Sequence, residues 1–330
     1  MITKQSNQIN PDLSISLYKI LYLARLSEEY IIKHYMEDEM KTPMHMSMGQ
    51  EAIPVGVCHA LGEENQIWTS YRTHAAFLAK TQDTDKFFAE MYGKVTGTAG
   101  GKAGSMHISD PDKGHMTASA IVASVLSPAT GLAFANKVAD NGRISCVFFG
   151  DGAMDEGTFW ESLNLASLMR LPVLFVCEDN GLAVHTESQN RQGYRSIVDQ
   201  VNGYECDVIQ ADTTDVEHIY DITKQAMNII NTKAKPVFLY LKCYRYLEHV
   251  GINEDFDAGY RERSEYEEWF KRDCVLTQRQ RLIDQGMSVQ EIESVESKIE
   301  KKIRNSIKLA KLAPFPHPED LYKGVFYEKA

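Results

Sequence analysis

The chain has 330 residues, 43% of them hydrophobic, and a formal net charge of −11. That is enough apolar material for a large core, and α/β folds of this length are commonly one domain. The acidic balance, with charges of both signs scattered throughout, argues against nucleic acid and anionic membranes as partners, and no apolar run approaches the ~20 residues of a transmembrane helix.

The first twelve residues are polar and lack the apolar centre of a signal peptide. Residues 13–39 predict a long helix, with Leu17, Ile20, Leu21, Ala24, Ile31 and Tyr35 at helical spacing. Gly49-Gln50-Glu51-Ala52 opens a second helix running to Leu61, and residues 66–70 read as a strand end leading into Tyr71-Arg72. Asp83 is placed to cap a helix over residues 84–92. A loop from Gly93 to Gly104 follows, with Gly97, Gly100 and Gly101 inside it; so flexible a stretch is more often functional than merely connecting. Residues 125–139 form an alanine-rich helix with Pro128 in its first turn.

Residues 144–149 and 173–177 are apolar runs that read as buried parallel strands. Between them, residues 158–170 predict a helix with Phe159, Leu163, Ala166 and Met169 on one face. Residues 183–193 have little pattern. Strands over 205–209 and 237–241 flank a helix over 215–231, and this alternation predicts an α/β fold with a doubly wound parallel sheet flanked by helices. Residues 246–260 are polar and unpatterned. The C-terminal helical segment, about 262–330, contains a charged helix over 289–312 that stops before Pro314-Phe315-Pro316. Six scattered cysteines without a Cys-x-x-Cys pair read as reduced, buried thiols of a cytoplasmic protein.

The chemistry concentrates at the two central strand ends. Gly150-Asp151-Gly152 follows one, and Glu178-Asp179-Asn180 closes the other, with Asn180 twenty-nine positions after Asp151. A strand-helix-strand unit sets these ends side by side, where ligands of open α/β sheets bind. A carboxylate and an amide there are hard oxygen ligands suited to Mg²⁺ that also holds a diphosphate. Alone, Gly-Asp-Gly is equally a tight turn; the spaced pair after two apolar strands is far more specific.

This pattern resembles the thiamine diphosphate signature, and the likeness extends along nearly the whole chain. His45-Met46-Ser47-Met48-Gly49-Gln50-Glu51-Ala52, Tyr71-Arg72-Thr73-His74, residues 101–107, Ala120-Ile121-Val122 and Tyr244-Arg245-Tyr246 with His249 occur in the order seen in the alpha subunit of the thiamine diphosphate-dependent 2-oxo acid dehydrogenase first component. The resemblance implies one thiamine diphosphate-binding domain over residues 1–330, with an N-terminal helical extension over about 1–45. It implies Mg²⁺ on the side chains of Asp151 and Asn180 and the carbonyl of Leu182. Gly152 and Ala153 would face the diphosphate, Tyr71, Arg72 and His249 would hold it, and Ala120 and Val122 would lie under the cofactor. His45, His249 and Glu156 are the implied catalytic groups. His45 and Glu156 keep a structural alternative, Glu156 as a helix N-terminal charge. Ser105 and His107 are second-tier candidates.

The implied reaction is decarboxylation of a 2-oxo acid with acyl transfer to a lipoyl domain, in an α2β2 heterotetramer whose β subunit completes the site. A carboligase without a lipoyl acceptor and a non-catalytic assembly subunit are the alternatives. The chain departs from the family pattern at Asp179, where the signature has asparagine, at Gly181 and His185, at Leu247, where a histidine is usual, and at Val250, where some relatives carry a regulatory serine.

Overall fold

The computed structural model describes residues 10–324; the polar start of the chain, residues 1–9, and residues 325–330 lie outside it. Helix α1 (Pro11–Tyr35) starts two residues before the expected Leu13, with the Asn10 side chain accepting from Leu13 N at 3.2 Å and proline in the first turn. It ends short of residue 39. Three acidic residues, Glu37 to Glu39, oppose the negative end of the helix dipole, and the Glu37 and Asp38 N–H groups turn back to the carbonyls of His34 and Tyr35.

The chain continues through α2 (Ala52–Leu61), β1 (Gln66–Ser70), α3 (His74–Thr81), α4 (Thr84–Met91), β2 (His115–Ser119), α5 (Leu126–Val138), β3 (Ser145–Gly150), α6 (Gly157–Leu168) and β4 (Val173–Asp179). A small hairpin, β5 (Leu182–Ala183) and β6 (Thr186–Glu187), precedes α7 (Ile197–Val201), β7 (Asp207–Asp212), α8 (Val216–Lys233) and β8 (Val237–Lys242). Helices α9 (Arg263–Phe270), α10 (Cys274–Asp284) and α11 (Val289–Leu312) close the chain.

All strands but the hairpin join one six-stranded sheet in the order β2-β1-β3-β4-β8-β7. Every pairing in it is parallel, so the α/β, doubly wound expectation holds. Side chains alternate across it. Cys146 and Phe148 of β3 join the core under α1, α2 and α8, while Val147 and Phe149 join the core under α5 and α6. Burial on both faces is why β3 and β4 read as unbroken apolar runs. The outer surfaces of α5 and α6, which pack on each other, leave Phe134, Val138, Leu165 and Leu168 exposed. Among the described residues no helix is long and apolar enough to cross a membrane, and all six cysteines are buried and unbridged.

Two buried polar networks hold the loops beneath the sheet edge. Arg25 of α1 pairs with Glu51 and, at 2.8 Å, with Asp273, while Glu51 also accepts from Gly49 N at 2.8 Å. This ties the turn before α2 to α10. On the edge strand β2, His115 is fully buried and its Nε2 meets Thr69 Oγ1 at 2.9 Å. Burial lowers its pKa to about 3, so His115 stays neutral in the fold where the unfolded chain would charge below about 6.5. The unfolded state then binds the extra proton, and stability must fall as pH drops from 6.5 toward 3, by up to about 1.4 kcal/mol per pH unit for one such group. Urea denaturation between pH 7.5 and 5.0 is expected to show this slope, and His115→Gln to flatten it by up to about that amount. An equal slope in the variant would show that His115 is not the group responsible.

Candidate functional site

The C-terminal ends of five strands converge on one cavity of about 280 Å³. Strand β1 delivers Tyr71 and Arg72, β2 delivers Ile121 to Ala123, β3 delivers Asp151 to Ala153, β4 delivers Glu178, Asn180 and Leu182, and β8 delivers Arg245 and His249. Gly150 and Glu178 are paired across β3 and β4, so Asp151 and Asn180 lie one and two residues beyond a shared rung. This is the crevice where open parallel sheets bind ligands.

Asp151 is 2% exposed, and its two oxygens differ. Oδ2 pairs with Arg191 and accepts from Ser188 Oγ at 3.1 Å, whereas Oδ1 is buried without a partner among the described residues. The Asn180 amide is oriented on both sides: Nδ2 donates to Gln50 Oε1 at 3.1 Å and Oδ1 accepts from Leu182 N at 3.1 Å. A Cβ on Gly152 would stand 3.0 Å from the Ala183 Cβ, so only glycine lets this backbone pass the hairpin without displacing it. The carboxylate that Asp179 puts in place of asparagine is answered by Lys242 and Tyr240, and its Oδ1 accepts from Gly181 N at 2.9 Å. Among the described residues no three His, Cys, Asp or Glu side chains cluster as a metal cage.

Two arginines also line the cavity. Arg72 donates to the carbonyls of Met46 at 2.7 Å and His249 at 3.3 Å, and among the described residues no carboxylate pairs with it. Arg245 is 2% exposed; its Nη2 donates to Tyr260 Oη at 2.9 Å and lies 3.7 Å from Asp255 Oδ2, while its Nε and Nη1 have no partner among the described residues. Burial lowers both guanidinium pKa values to about 10; Arg245 lowers that of Arg72 further, and Arg261 that of Arg245. The rings of His45, Tyr71 and His249 pack together, His45 at 4.6 Å from Tyr71 and 5.3 Å from His249. Burial and then Arg72 lower His45 to about 3 and His249 to about 4, so both are neutral at pH 7. A lone buried carboxylate oxygen and two guanidiniums with open hydrogen-bonding capacity, on the wall of one cavity, invite a cation and an anion together.

Of the residues singled out from sequence, Tyr71, Arg72, Val122, Asp151, Gly152, Ala153, Glu156, Asn180, Leu182 and His249 line this cavity. His45 stands behind Tyr71 and His249. Ala120 is not on the wall, but its neighbours Ile121, Val122 and Ala123 are, with Ala123 at φ +62°. Glu156 is exposed at the start of α6 and caps nothing with its side chain. Ser105 and His107 lie elsewhere: Ser105 Oγ bonds His74 at 2.7 Å, and His107 Nδ1 faces the Ala118 carbonyl at 3.2 Å. Gln50, Glu178, Arg245 and Arg191 escaped selection. The first three sit inside motifs already noted, and Glu178 is a carboxyl that burial pushes up to about 8. Arg191 lies in an unpatterned stretch with no signal at all.

The chain is 31% identical over 314 residues to the alpha subunit of an acetoin:2,6-dichlorophenolindophenol oxidoreductase of Cupriavidus necator, covering 94% of this chain and 93% of that one. The Bacillus subtilis protein of the same name is 28% identical over 331 residues, covering 100% of this chain and 98% of its own. The pyruvate dehydrogenase E1 component subunit alpha of Rickettsia bellii is 28% identical over 313 residues, covering 94% and 95%. The family model for the dehydrogenase E1 component matches residues 18–319. With its parallel sheet and the cavity at that sheet's C-terminal edge, the chain belongs to the dehydrogenase E1 component family.

Proposed function

We propose that this chain is the α subunit of a thiamine diphosphate- and Mg²⁺-dependent 2-oxo acid dehydrogenase that passes the acyl group to a lipoyl carrier. It acts as one thiamine diphosphate-binding domain in a cytoplasmic α2β2 heterotetramer. The observation that carries the reading is the partnerless Oδ1 of Asp151 in one cavity with Arg72 and Arg245. The donor set fits the absent groups. Mg²⁺ is held by one or two carboxylates plus phosphate oxygens and does not need a cage of acidic side chains, and a diphosphate supplies an anion for Arg72, which has none among the described residues, and for the open nitrogens of Arg245.

In this reading Asp151, Asn180 and the Leu182 carbonyl hold the metal. The backbone of Gly152 and Ala153 would face the diphosphate, and the Tyr71 hydroxyl, the planar fork of Arg72 and His249 would hold it. When bound, thiamine diphosphate supplies a ring that accepts the electrons released on decarboxylation. Val122, with Ala120 just before it, supports that ring, and Ile121, Val122 and Val184 put apolar surface at the mouth. His249 and His45, neutral beside Arg72, can each offer one ring N–H as donor and one ring nitrogen as acceptor to a bound group. Glu156 faces the same mouth. The six buried, unbridged thiols support a cytoplasmic setting.

The test is the chain co-purified with its β subunit and offered pyruvate, longer 2-oxo acids and acetoin, with a lipoyl domain or a redox dye as acceptor. Decarboxylation that needs both thiamine diphosphate and Mg²⁺, with the acyl group recovered on the lipoyl domain, is the expected result. Product formed only with an aldehyde acceptor would make the enzyme a carboligase. No turnover with any substrate would leave an assembly subunit.

A further inference from the structure

A carboxylate serves a metal best when one oxygen is free and the other is fixed, because the free oxygen then needs no reorientation on binding. Asp151 meets both conditions, and Arg191 supplies the second. This residue comes from the segment after β6, forty positions along the chain, and its side chain is 10% exposed. Every nitrogen of its guanidinium is committed: Nε donates to the Thr186 carbonyl at 3.1 Å, Nη1 pairs with Asp155, and Nη2 pairs with Asp151 Oδ2 and meets Ser188 Oγ at 3.1 Å. Ser188 itself is anchored on the Gly181 carbonyl at 3.2 Å.

We infer that Arg191 is a positioning residue for the metal site: it grips Asp151 Oδ2, with Ser188, and so leaves Oδ1 aimed and unpaired for the divalent cation. The inference rests on the metal reading above. A planar fork suits this work because it holds Asp151 and Asp155 at once in a fixed geometry, and it also withdraws the Asp155 charge from competition for the ion. Arg191 touches neither substrate nor reacting atoms in this role; it acts through Asp151.

Mn²⁺ binding to the αβ complex, followed by electron paramagnetic resonance at saturating thiamine diphosphate, separates the outcomes. Arg191→Met is expected to weaken Mn²⁺ affinity by about 10- to 100-fold, the usual effect of removing a group that orients a metal ligand. Arg191→Lys, which keeps the charge and loses the fork, should fall between, and it supplies the measurement if the methionine variant does not fold. Turnover of both variants should return close to wild type at high Mg²⁺, as a defect in folding or chemistry would not. Mn²⁺ affinity equal to or tighter than wild type in Arg191→Met would overturn the inference, the tighter case meaning that Arg191 merely occupies the cation's place. If instead wild type binds no Mn²⁺, or Asp151→Ala binds it normally, the metal reading fails first.

Discussion

Replacing Asp151 with alanine in the αβ complex is expected to weaken metal-dependent thiamine diphosphate binding by roughly 10²- to 10⁴-fold. Removing one member of a buried, hydrogen-bonded charge set costs about 3–5 kcal/mol, and each 1.4 kcal/mol is tenfold in affinity. Here the lost group is a carboxylate 2% exposed whose free oxygen has no other role in the described residues. Its partner Arg191 keeps Asp155, so the loop is not stranded and the loss should appear in binding before stability. Titration of the cofactor at fixed Mg²⁺ by tryptophan fluorescence reads the effect, with Asp151→Asn as the variant that keeps the shape and discards the charge. Unchanged affinity in both variants would remove the metal from this site.

The largest effect on stability is expected at Gly49, on the turn between His45 and α2. Its φ is +90°, and a Cβ there would lie 2.2 Å from the Tyr244 carbonyl oxygen and 2.5 Å from the Tyr246 ring. Neither neighbour can yield cheaply. Tyr246 N donates to the Met48 carbonyl at 3.0 Å, and Tyr246 Oη donates to Asp273 at 2.9 Å. Backbone strain of about 1–3 kcal/mol and overpacking of about 1–3 kcal/mol together predict that Gly49→Ala lowers the melting temperature by roughly 3–9 °C. Gly259→Ala is the control. Gly259 is left-handed at φ +80°, but nothing stands within 4 Å of its would-be Cβ, so only the backbone part of the penalty applies. Equal shifts in the two variants would show that the Gly49 clash relaxes. Because Tyr246 leads directly to Leu247, Glu248 and His249, the Gly49 variant should also lose affinity for the cofactor.

The centre of the sheet was legible because burial on both faces leaves β3 and β4 as uninterrupted apolar runs, and their ends carry the spaced Asp151 and Asn180. Helix α11 was legible because its apolar stripe is amphipathic and Pro314-Phe315-Pro316 stops it; the Ser288–Glu291 capping box at its start is seen in the structure. Other elements had no comparable signal. Strand β2 is a sheet edge whose five residues, His115 to Ser119, include two hydroxyls and a histidine; its membership comes from pairing with β1, a tertiary fact. Strand β7 is the other edge and runs on through Asp212, past the apolar stretch that marked it. The hairpin β5–β6 is two residues on each side, too short for any period. In the cavity, most residues singled out lay in a local motif, and the missed Gln50, Glu178 and Arg245 lay in such motifs too, whereas Arg191, which is not on the wall, had none. A single arginine among polar neighbours says nothing until the fold brings it forty positions back to Asp151.

The bare ring and aliphatic side chains on the outside of α5 and α6 carry a practical consequence. Phe134, Val138, Leu165 and Leu168 are between 43% and 77% exposed, and contiguous apolar surface on a folded chain promotes association. Expressed without a companion polypeptide, this protein should form concentration-dependent aggregates, which light scattering would record as mass rising with dilution reversed. Co-expression with a subunit that covers those two helices should yield a particle of fixed size.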